Sequence, residues 1–490
     1  MTYLKFSASA VILATFLFVA ACKHAKTETD SGYPPEIRSI LVNKCATAGC
    51  HNAASYYNAG GLLLDTWEHL FRGGSSGSVA VPYSPEYSSL LYFVNTDTLL
   101  GIVAEPSMPK DAAPLSREEY LILRDWIANG AHDREGNIPF GSNPDTRQKI
   151  YLTQQACDDR VTVIDAATQL VMRYIPVGVF DGVPESAHYV RFTQDGKYAF
   201  VAMLTGLVQK IDVATDKVVG SYPLGIGSWN IVHPDSLGNR FIASNKDGGQ
   251  VTYWDILSGK HITYSSFPQA HGIAPVPSFD TFYITDQTGN VLYNTRLSLT
   301  SPAPETDDIL LSESSVTQPH EVLFSPDRSK LFVTCEVTNE VRVVDPHTNK
   351  LMTGLPSVIK VGTKPQEMAY SLKKPYLFVT CMEDPLPELS TPLVKFRGSI
   401  YVIDYNTHQV VKVIKDKFAN VHGVTVDDRN NKVYFASTNT STDGPSAHHP
   451  SKCGGNNGYY HVYDLNTLEP VDGRRFEVLA WPYSFDVRFK

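Results

Sequence analysis

The chain has 490 residues, of which 42 are Lys or Arg and 51 are Asp or Glu, so its formal net charge is −9. This length suffices for two or three domains. A mildly acidic chain without a basic block argues against nucleic acid as a partner. The 11% aromatic content, with 33 Gly and 31 Pro, argues against disorder and coiled coil and favours many short strands. The seven cysteines are an odd number, so at least one needs a role outside intramolecular disulfides.

The N-terminus has the pattern of an export signal. Lys5 precedes an apolar run at residues 11–21, which is too short to span a bilayer and has the length of a signal core. The run ends in V-A-A-C, which resembles the lipobox of bacterial lipoproteins, and this resemblance implies that Cys22 carries lipid. An ordinary cleaved signal followed by a chance cysteine is the alternative. We expect a cell-envelope protein on the periplasmic or surface side, anchored to a membrane by lipid.

Cys45, Cys50 and His51 form the sequence C-x4-C-H. The usual attachment motif for haem c is C-x2-C-H, in which two thiols form thioethers to the haem and the adjacent His binds its iron. A Cys45–Cys50 disulfide and a zinc site are alternatives, although zinc would need a second ligand pair at metal spacing. We predict one covalent haem c, with Cys45 and Cys50 as thioether donors and His51 as an axial ligand of the iron.

A second axial ligand is expected downstream. Met108 is the one methionine between residues 23 and 140, and it lies in a loop bracketed by prolines. A Met/His ligand pair raises the reduction potential of haem iron. We therefore predict that Met108 is the distal iron ligand. His69 is the rival candidate, and its position also suits an ordinary surface helix residue.

Helices are predicted on both sides of these motifs. One is expected at residues 35–44, and a capping box of Ser116 with Glu119 begins another, which Asn129 closes. The order of helix, Cys-Cys-His motif, Met-Pro loop and capped helix across residues 34–133 resembles the cytochrome c domain of planctomycete type. This resemblance implies a small all-α domain whose haem carries single electrons.

A repeated strand–turn pattern fills residues 149–490. Short apolar strands end in Asp, and Thr or Ser follows three residues later, so that side chains can bond the backbone of a tight turn. The copies end at Asp165, Asp212, Asp255, Asp345, Asp404 and Asp464, with Asn294 in the remaining place. Seven copies predict an all-β seven-bladed propeller. The C-terminal strand at 484–490 is expected to complete the blade formed by residues 150–177, which leaves no free edge.

The repeats resemble those of YVTN-type propellers. The residues that carry this resemblance include Ser325-Pro326-Asp327 followed by Leu331-Phe332-Val333-Thr334. The resemblance implies the fold and leaves the function open, because this fold hosts lactonases, amine dehydrogenases, surface proteins and cytochrome-type nitrite reductases.

Four histidines occupy one position of the repeat, at the start of the strand that lines the central channel. They are His188, His271, His320 and His422, and Asn230, Gln366 and Ser484 take this position in the other blades. We expect the histidines to ring one mouth of the channel. Imidazoles bind copper, zinc or haem iron, whereas hydrogen bonding to backbone or substrate is the alternative role. Haem-containing nitrite reductases join a cytochrome c domain to a propeller with a second haem, but these propellers have eight blades.

The remaining cysteines are Cys157, Cys335, Cys381 and Cys453. An oxidising compartment favours disulfides among them. Cys335 and Cys381 hold equivalent places in adjacent blades and are the candidate pair, provided that the two strand ends lie within disulfide reach.

The predicted order is a lipoprotein signal at 1–21, a tether at 22–33, a cytochrome c domain at 34–140, a linker at 141–148 and the propeller at 149–490. We expect an electron carrier whose propeller docks a partner or binds a ligand. Its partner would be a redox protein or a small electron donor or acceptor. One alternative is an oxidoreductase with a second metal or haem centre at the propeller histidines. Another is a surface-binding propeller whose cytochrome acts as a sensor.

Overall fold

The computed structural model describes residues 30–179, 182–390, 396–439 and 449–490. The expected signal segment and Cys22 lie outside these residues. In the described ranges, the α-helices are α1 (Pro35–Ile40), α2 (Trp67–Leu70), α3 (Ser89–Val94) and α4 (Arg117–Ala128). None of these helices has the length and hydrophobicity that a membrane span requires.

The longest helix, α4, begins where the capping box predicts. The Glu119 amide donates to the Ser116 hydroxyl at 3.1 Å, and the Glu119 carboxylate accepts from the Ser116 amide at 2.8 Å. The helix buries Tyr120, Leu123, Trp126 and Ile127 in an apolar cluster shared with α1 and α3. The helix expected at 35–44 is shorter, because α1 ends at Ile40 and residues 41–45 form a π-helical turn.

All strands follow the helices along the chain. In chain order they are β1 (Lys149–Gln154), β2 (Arg160–Asp165), β3 (Leu170–Pro176), β4 (Ala187–Phe192), β5 (Tyr198–Met203), β6 (Leu207–Asp212), β7 (Lys217–Pro223), β8 (Trp229–Pro234), β9 (Arg240–Asn245), β10 (Gln250–Asp255), β11 (Lys260–Tyr264), β12 (Ala270–Pro275), β13 (Thr281–Asp286), β14 (Val291–Arg296), β15 (Glu305–Leu310), β16 (Pro319–Phe324), β17 (Leu331–Cys335), β18 (Glu340–Asp345), β19 (Lys350–Leu351), β20 (Val358–Lys360), β21 (Pro365–Tyr370), β22 (Tyr376–Cys381), β23 (Ser399–Asp404), β24 (Gln409–Ile414), β25 (Val421–Asp427), β26 (Lys432–Ser437), β27 (Asn457–Asp464), β28 (Phe476–Ala480) and β29 (Pro482–Val487).

These strands form seven antiparallel sheets within the described residues. Blade 1 combines β29 with β1, β2 and β3, and the following blades take β4–β7, β8–β11, β12–β15, β16–β20, β21–β24 and β25–β28 in turn. The inner strands β29, β4, β8, β12, β16, β21 and β25 contact one another in a closed ring. The predicted seven-bladed propeller is confirmed.

The C-terminal strand closes the ring as predicted. β29 pairs antiparallel with β1, and Tyr151 lies opposite Asp486 in this pairing. The two ends of the propeller sequence therefore share blade 1, and neither is left as an unpaired inner edge.

The tight turns between strands use the side chains that the repeat predicts. The Thr168 amide and hydroxyl both donate to the Asp165 carboxylate, at 3.0 and 2.7 Å. The same two bonds join Thr215 to Asp212, at 2.9 and 2.7 Å. Each turn thus satisfies its own backbone locally, which allows the short strand repeat to recur along the chain.

The disulfide bond differs from the expected one. Cys157, after β1, is bonded to Cys453, in the loop before β27, with the Cα atoms 5.4 Å apart. Cys335 and Cys381 are free and fully buried. The candidate Cys335–Cys381 pair is therefore not formed. Cys335 packs in an apolar core between its own blade, β16–β20, and the preceding one, whereas Cys381 packs in a core on the other side of β16–β20.

Candidate functional site

The Cys-Cys-His motif forms a compact turn at the end of the π-helical segment. The Cys50 amide donates to the Thr47 carbonyl, and the His51 amide donates to the Cys45 carbonyl, both at 3.1 Å. Both thiols are free, so the structure contains no disulfide between them. Burial raises the pKa of Cys45 to about 11, and the thiol is neutral at ordinary pH.

The imidazole of His51 is held by one of its two ring nitrogens. Its Nδ1 lies 3.1 Å from the carbonyl oxygen of Leu62, so a protonated Nδ1 donates there and leaves the Nε2 lone pair for a metal. Burial lowers the pKa of His51, and its hydrogen bond to Leu62 only partly opposes this effect. A neutral imidazole oriented by a backbone carbonyl is the usual state of a metal-binding His.

Met108 lies in the loop after α3 and is partly buried. Its amide donates to the carbonyl of Phe93 at 2.7 Å, which ties the loop to the end of α3. The Met108 side chain packs against the apolar cluster to which Cys45 belongs. One cluster therefore contacts a candidate thioether donor and the candidate distal ligand.

His69 lies on α2, as its surface-helix interpretation requires. Its Nδ1 is 2.6 Å from the carboxylate of Asp65, and the amide of His69 is capped by the Thr66 hydroxyl. The carboxylate thus occupies one ring nitrogen of His69.

The donor set fits haem c. It consists of two free thiols in a tight turn, an imidazole with one free nitrogen and a half-buried thioether, beside an apolar cluster. Soft thioether and imidazole ligands suit haem iron, and the apolar wall limits access of water to it.

The four propeller histidines converge on the channel axis. Ring centroids lie 6.5 Å apart for His188 and His271, 4.1 Å for His271 and His320, and 5.7 Å for His320 and His422. All four are at least nine-tenths buried. They therefore line the channel with little exposure of their rings to solvent.

The seventh place in this ring belongs to Tyr483, which the sequence repeat had assigned to Ser484. Tyr483 is the second residue of β29, as each histidine is the second residue of its own inner strand. Its ring stacks on His422 at 3.6 Å and lies 4.4 Å from His188. The repeat pattern assigned the ring position of this strand one residue too late. The strand is the last in the sequence, so no following copy of the repeat fixes its alignment.

Two buried glutamates lie next to the ring position in their strands. Glu321 and Glu367 each follow the ring position in their blades, and desolvation raises the pKa of Glu321 to about 7 and that of Glu367 to about 8. Arg191 faces both carboxyl groups and partly offsets this effect. The sequence interpretation missed these residues, although a carboxylate next to the ring position was a signal available in P-H-E and P-Q-E.

The helical region and the propeller meet along a polar and aromatic contact. The Tyr87 hydroxyl donates to the carboxylate of Asp158, and the ring of Phe93 lies 5.3 Å from that of His449. His449 Nε2 lies 3.2 Å from the Glu477 carboxylate. The loop that carries His449 is tied by Cys453 to the start of the propeller.

Comparison with protein families gives a match in the helical region. Residues 48–111 match the model of the planctomycete cytochrome C family. This stretch contains Cys50, His51 and Met108 and begins after Cys45. The sequence matches none of the curated proteins with which it was compared.

Several solved structures share the propeller fold. A candidate 6-phosphogluconolactonase from Bacteroides uniformis is 11% identical, covers 70% of this chain and 99% of its own, and has a TM-score of 0.51. A protein of unknown function from Desulfotomaculum acetoxidans is 12% identical, covers 69% and 100%, and scores 0.50. The dihydro-heme d1 dehydrogenase NirN is 13% identical, covers 85% and 94%, and scores 0.47, which is too low to support an argument. At these identities the likenesses show the fold alone.

Proposed function

We propose that the protein is a c-type cytochrome that transfers single electrons through one haem, with the propeller as a platform for a redox partner or ligand. The family match at residues 48–111, together with the geometry around His51, carries this proposal. Cys45 and Cys50 would form the two thioethers, and His51 and Met108 would bind the iron. The haem would supply reversible Fe(II)/Fe(III) exchange of one electron.

The residues of the chain contribute binding, orientation and exclusion of water. The Leu62 carbonyl fixes the plane of the His51 ring and keeps its Nε2 directed away from that bond. The Phe93 carbonyl holds the Met108 loop. The apolar cluster of α1, α3 and α4 lowers the local polarity, which together with a Met ligand favours a raised reduction potential.

We further propose that the chain is exported and anchored to a membrane by lipid on Cys22. The apolar run and the V-A-A-C sequence support this part of the proposal. An oxidising compartment would also allow the Cys157–Cys453 disulfide to persist. Labelling with a palmitate analogue tests it, and we expect the label on wild type and its loss from Cys22→Ala.

A redox titration followed by absorption spectroscopy tests the electron-carrier function. The protein is expressed in a host with a cytochrome c maturation pathway and titrated between oxidant and reductant. We expect one haem per chain and a reversible one-electron transition. Protein that folds and contains no redox-active haem would contradict the proposal.

A second candidate function is that of an oxidoreductase with another redox centre at the channel axis. The convergence of four buried imidazoles favours it. The redox titration distinguishes the two functions. A second redox-active centre would add a transition without the absorption change of haem c.

A further inference from the structure

The channel axis contains a buried group of side chains with the composition of a metal site. His271, His320 and Glu321 each offer a ligand atom, and these atoms lie within 4.8 Å of one another. The two histidines come from the inner strands of adjacent blades, β12 and β16. Glu321 follows His320 directly, so both are fixed by one strand.

Glu321 Oε2 has no hydrogen-bond partner among the described residues. The His320 ring faces the Gln366 backbone, which is its hydrogen-bond partner. The ring of the neighbouring His422 faces the Tyr483 backbone, and its Nδ1 lies 3.6 Å from the Glu367 carboxylate. A buried carboxylate oxygen without a hydrogen-bond partner is unfavourable, so its presence beside two imidazoles favours a bound group.

The hydrogen bonds that are present orient the donors. His271 Nδ1 lies 3.1 Å from the His320 carbonyl, so a protonated Nδ1 donates there and leaves Nε2 as a ligand atom. The Glu321 amide donates to the Thr334 hydroxyl at 3.0 Å, and Glu321 Oε1 accepts from the Tyr189 hydroxyl at 3.3 Å. These bonds hold the backbone and one oxygen of Glu321 and leave its Oε2 free for a ligand.

Charges near the ring act in both directions. Lys246 lies close enough to His188, His271 and His320 to disfavour a cation. Glu336 opposes this effect, since its carboxylate lies 3.8 Å from His320 Nε2 at the partly exposed end of the channel. Glu321 and Glu336 thus each place a carboxyl group near His320, which favours a cation there.

We propose that His271, His320 and Glu321 bind one divalent transition metal ion of the first row in the propeller axis. Two imidazoles and one carboxylate suit Zn²⁺, Fe²⁺ or Cu²⁺ and are poor ligands for Ca²⁺ or Mg²⁺, which prefer oxygen. The ring of His422 lies beside this set, with its centroid 5.7 Å from that of His320. The site is separate from the haem ligands and does not depend on the proposed electron transfer.

Zn²⁺ is the probe for the test. The haem-loaded full-length protein is depleted of other metals and titrated with Zn²⁺ by calorimetry, and bound zinc and iron are counted by elemental analysis. We expect about one zinc per chain and a thermal midpoint that rises with Zn²⁺ concentration. Wild-type protein that binds no zinc would overturn the proposal.

Near-isosteric variants locate the ion. Glu321→Gln and His271→Gln should each weaken Zn²⁺ binding by more than about tenfold while the haem content stays unchanged. The matched control is His461→Gln, a buried histidine on the third strand of its blade, which should bind Zn²⁺ like wild type. Equal zinc affinity in wild type and both site variants would place the ion elsewhere and contradict the assignment. If one site variant fails to fold, the other still decides the outcome.

Discussion

The ring of His449 lies edge-on against that of Phe93, with centroids 5.3 Å apart. Phe93 also accepts a hydrogen bond at 2.7 Å from the amide of Met108, the candidate distal ligand of the haem iron. A loop of the propeller thus touches the residue that holds the Met108 loop. This contact gives the propeller a structural connection to the proposed electron-transfer site.

The first prediction concerns the pH dependence of this contact. Burial lowers the pKa of His449, but the Glu477 carboxylate and the Pro450 carbonyl outweigh it, so the pKa is raised above its ordinary 6.5. The folded state then binds the proton more tightly than the unfolded state. The resulting stability is fully present below pH 6.5 and is lost as pH rises through the raised pKa.

We therefore expect His449→Gln to destabilise the protein more at about pH 5.5 than at about pH 8.5. Urea unfolding of both proteins at the two pH values measures this difference. The matched control is His261→Gln, which removes an exposed imidazole on β11 in another blade. If His449→Gln destabilised the protein more at the higher pH, the raised pKa of His449 would be contradicted.

The second prediction concerns the disulfide, which joins residues 296 positions apart. Removing it in the double variant Cys157→Ala and Cys453→Ala should lower the free energy of unfolding by about 2–5 kcal/mol, since the unfolded chain is then less constrained. Urea unfolding with and without dithiothreitol measures this effect. Wild type and the control Cys335→Ala should both lose stability on reduction, and the double variant should not respond. A reductant response in the double variant would contradict the pairing.

The third prediction concerns the distal ligand. Replacing Met108 with His should lower the midpoint potential on the order of 0.1–0.3 V, because thioether ligation favours the ferrous state. Spectroelectrochemistry of the haem-loaded protein measures the potential. Met352→Leu, a half-buried propeller methionine, is the control and should leave it unchanged. A potential that does not move in the Met108 variant would place the distal ligand elsewhere.

The fourth prediction concerns a buried ion pair between blades 1 and 2. Lys149 donates to both carboxylate oxygens of Asp216 at 2.8 Å, and the Tyr151 hydroxyl donates to the same group at 2.7 Å. Asp216→Asn would leave the buried ammonium without its counter-charge, at an expected cost of about 3–5 kcal/mol. Chemical denaturation checks this value. Asp255→Asn in an equivalent turn should cost less than about 1 kcal/mol, and similar losses in both variants would argue against the ion pair.

The blades could be predicted from the sequence because each repeat is determined locally. The Asp165–Thr168 turn forms from residues three apart, and its recurrence counts the blades without knowledge of their packing. The position of the histidines followed from the same register. The ring position in β29 was assigned wrongly, to Ser484 and not to Tyr483. Here the chain returns to blade 1, and no later copy of the repeat fixes the alignment of the strand.

The features that depend on packing between distant segments were not predictable in this way. The Cys157–Cys453 bond depends on a loop of blade 7 reaching the first hairpin of the propeller. The glutamates Glu321 and Glu367 gain their raised pKa values from burial on the axis, which the repeat alone does not reveal. Sequence patterns specify local turns and strand order, whereas burial and long-range pairing emerge from the closed ring.

The attachment of haem is the central claim, and the mass of the denatured protein tests it most directly. Protein matured with haem is unfolded, extracted to remove free haem and measured by intact-mass spectrometry beside the double variant Cys45→Ala with Cys50→Ala and the control Cys381→Ala. We expect one haem covalently retained by wild type and by the control. The double variant Cys45→Ala with Cys50→Ala should retain none. Wild-type protein that loses all haem on denaturation would contradict the account.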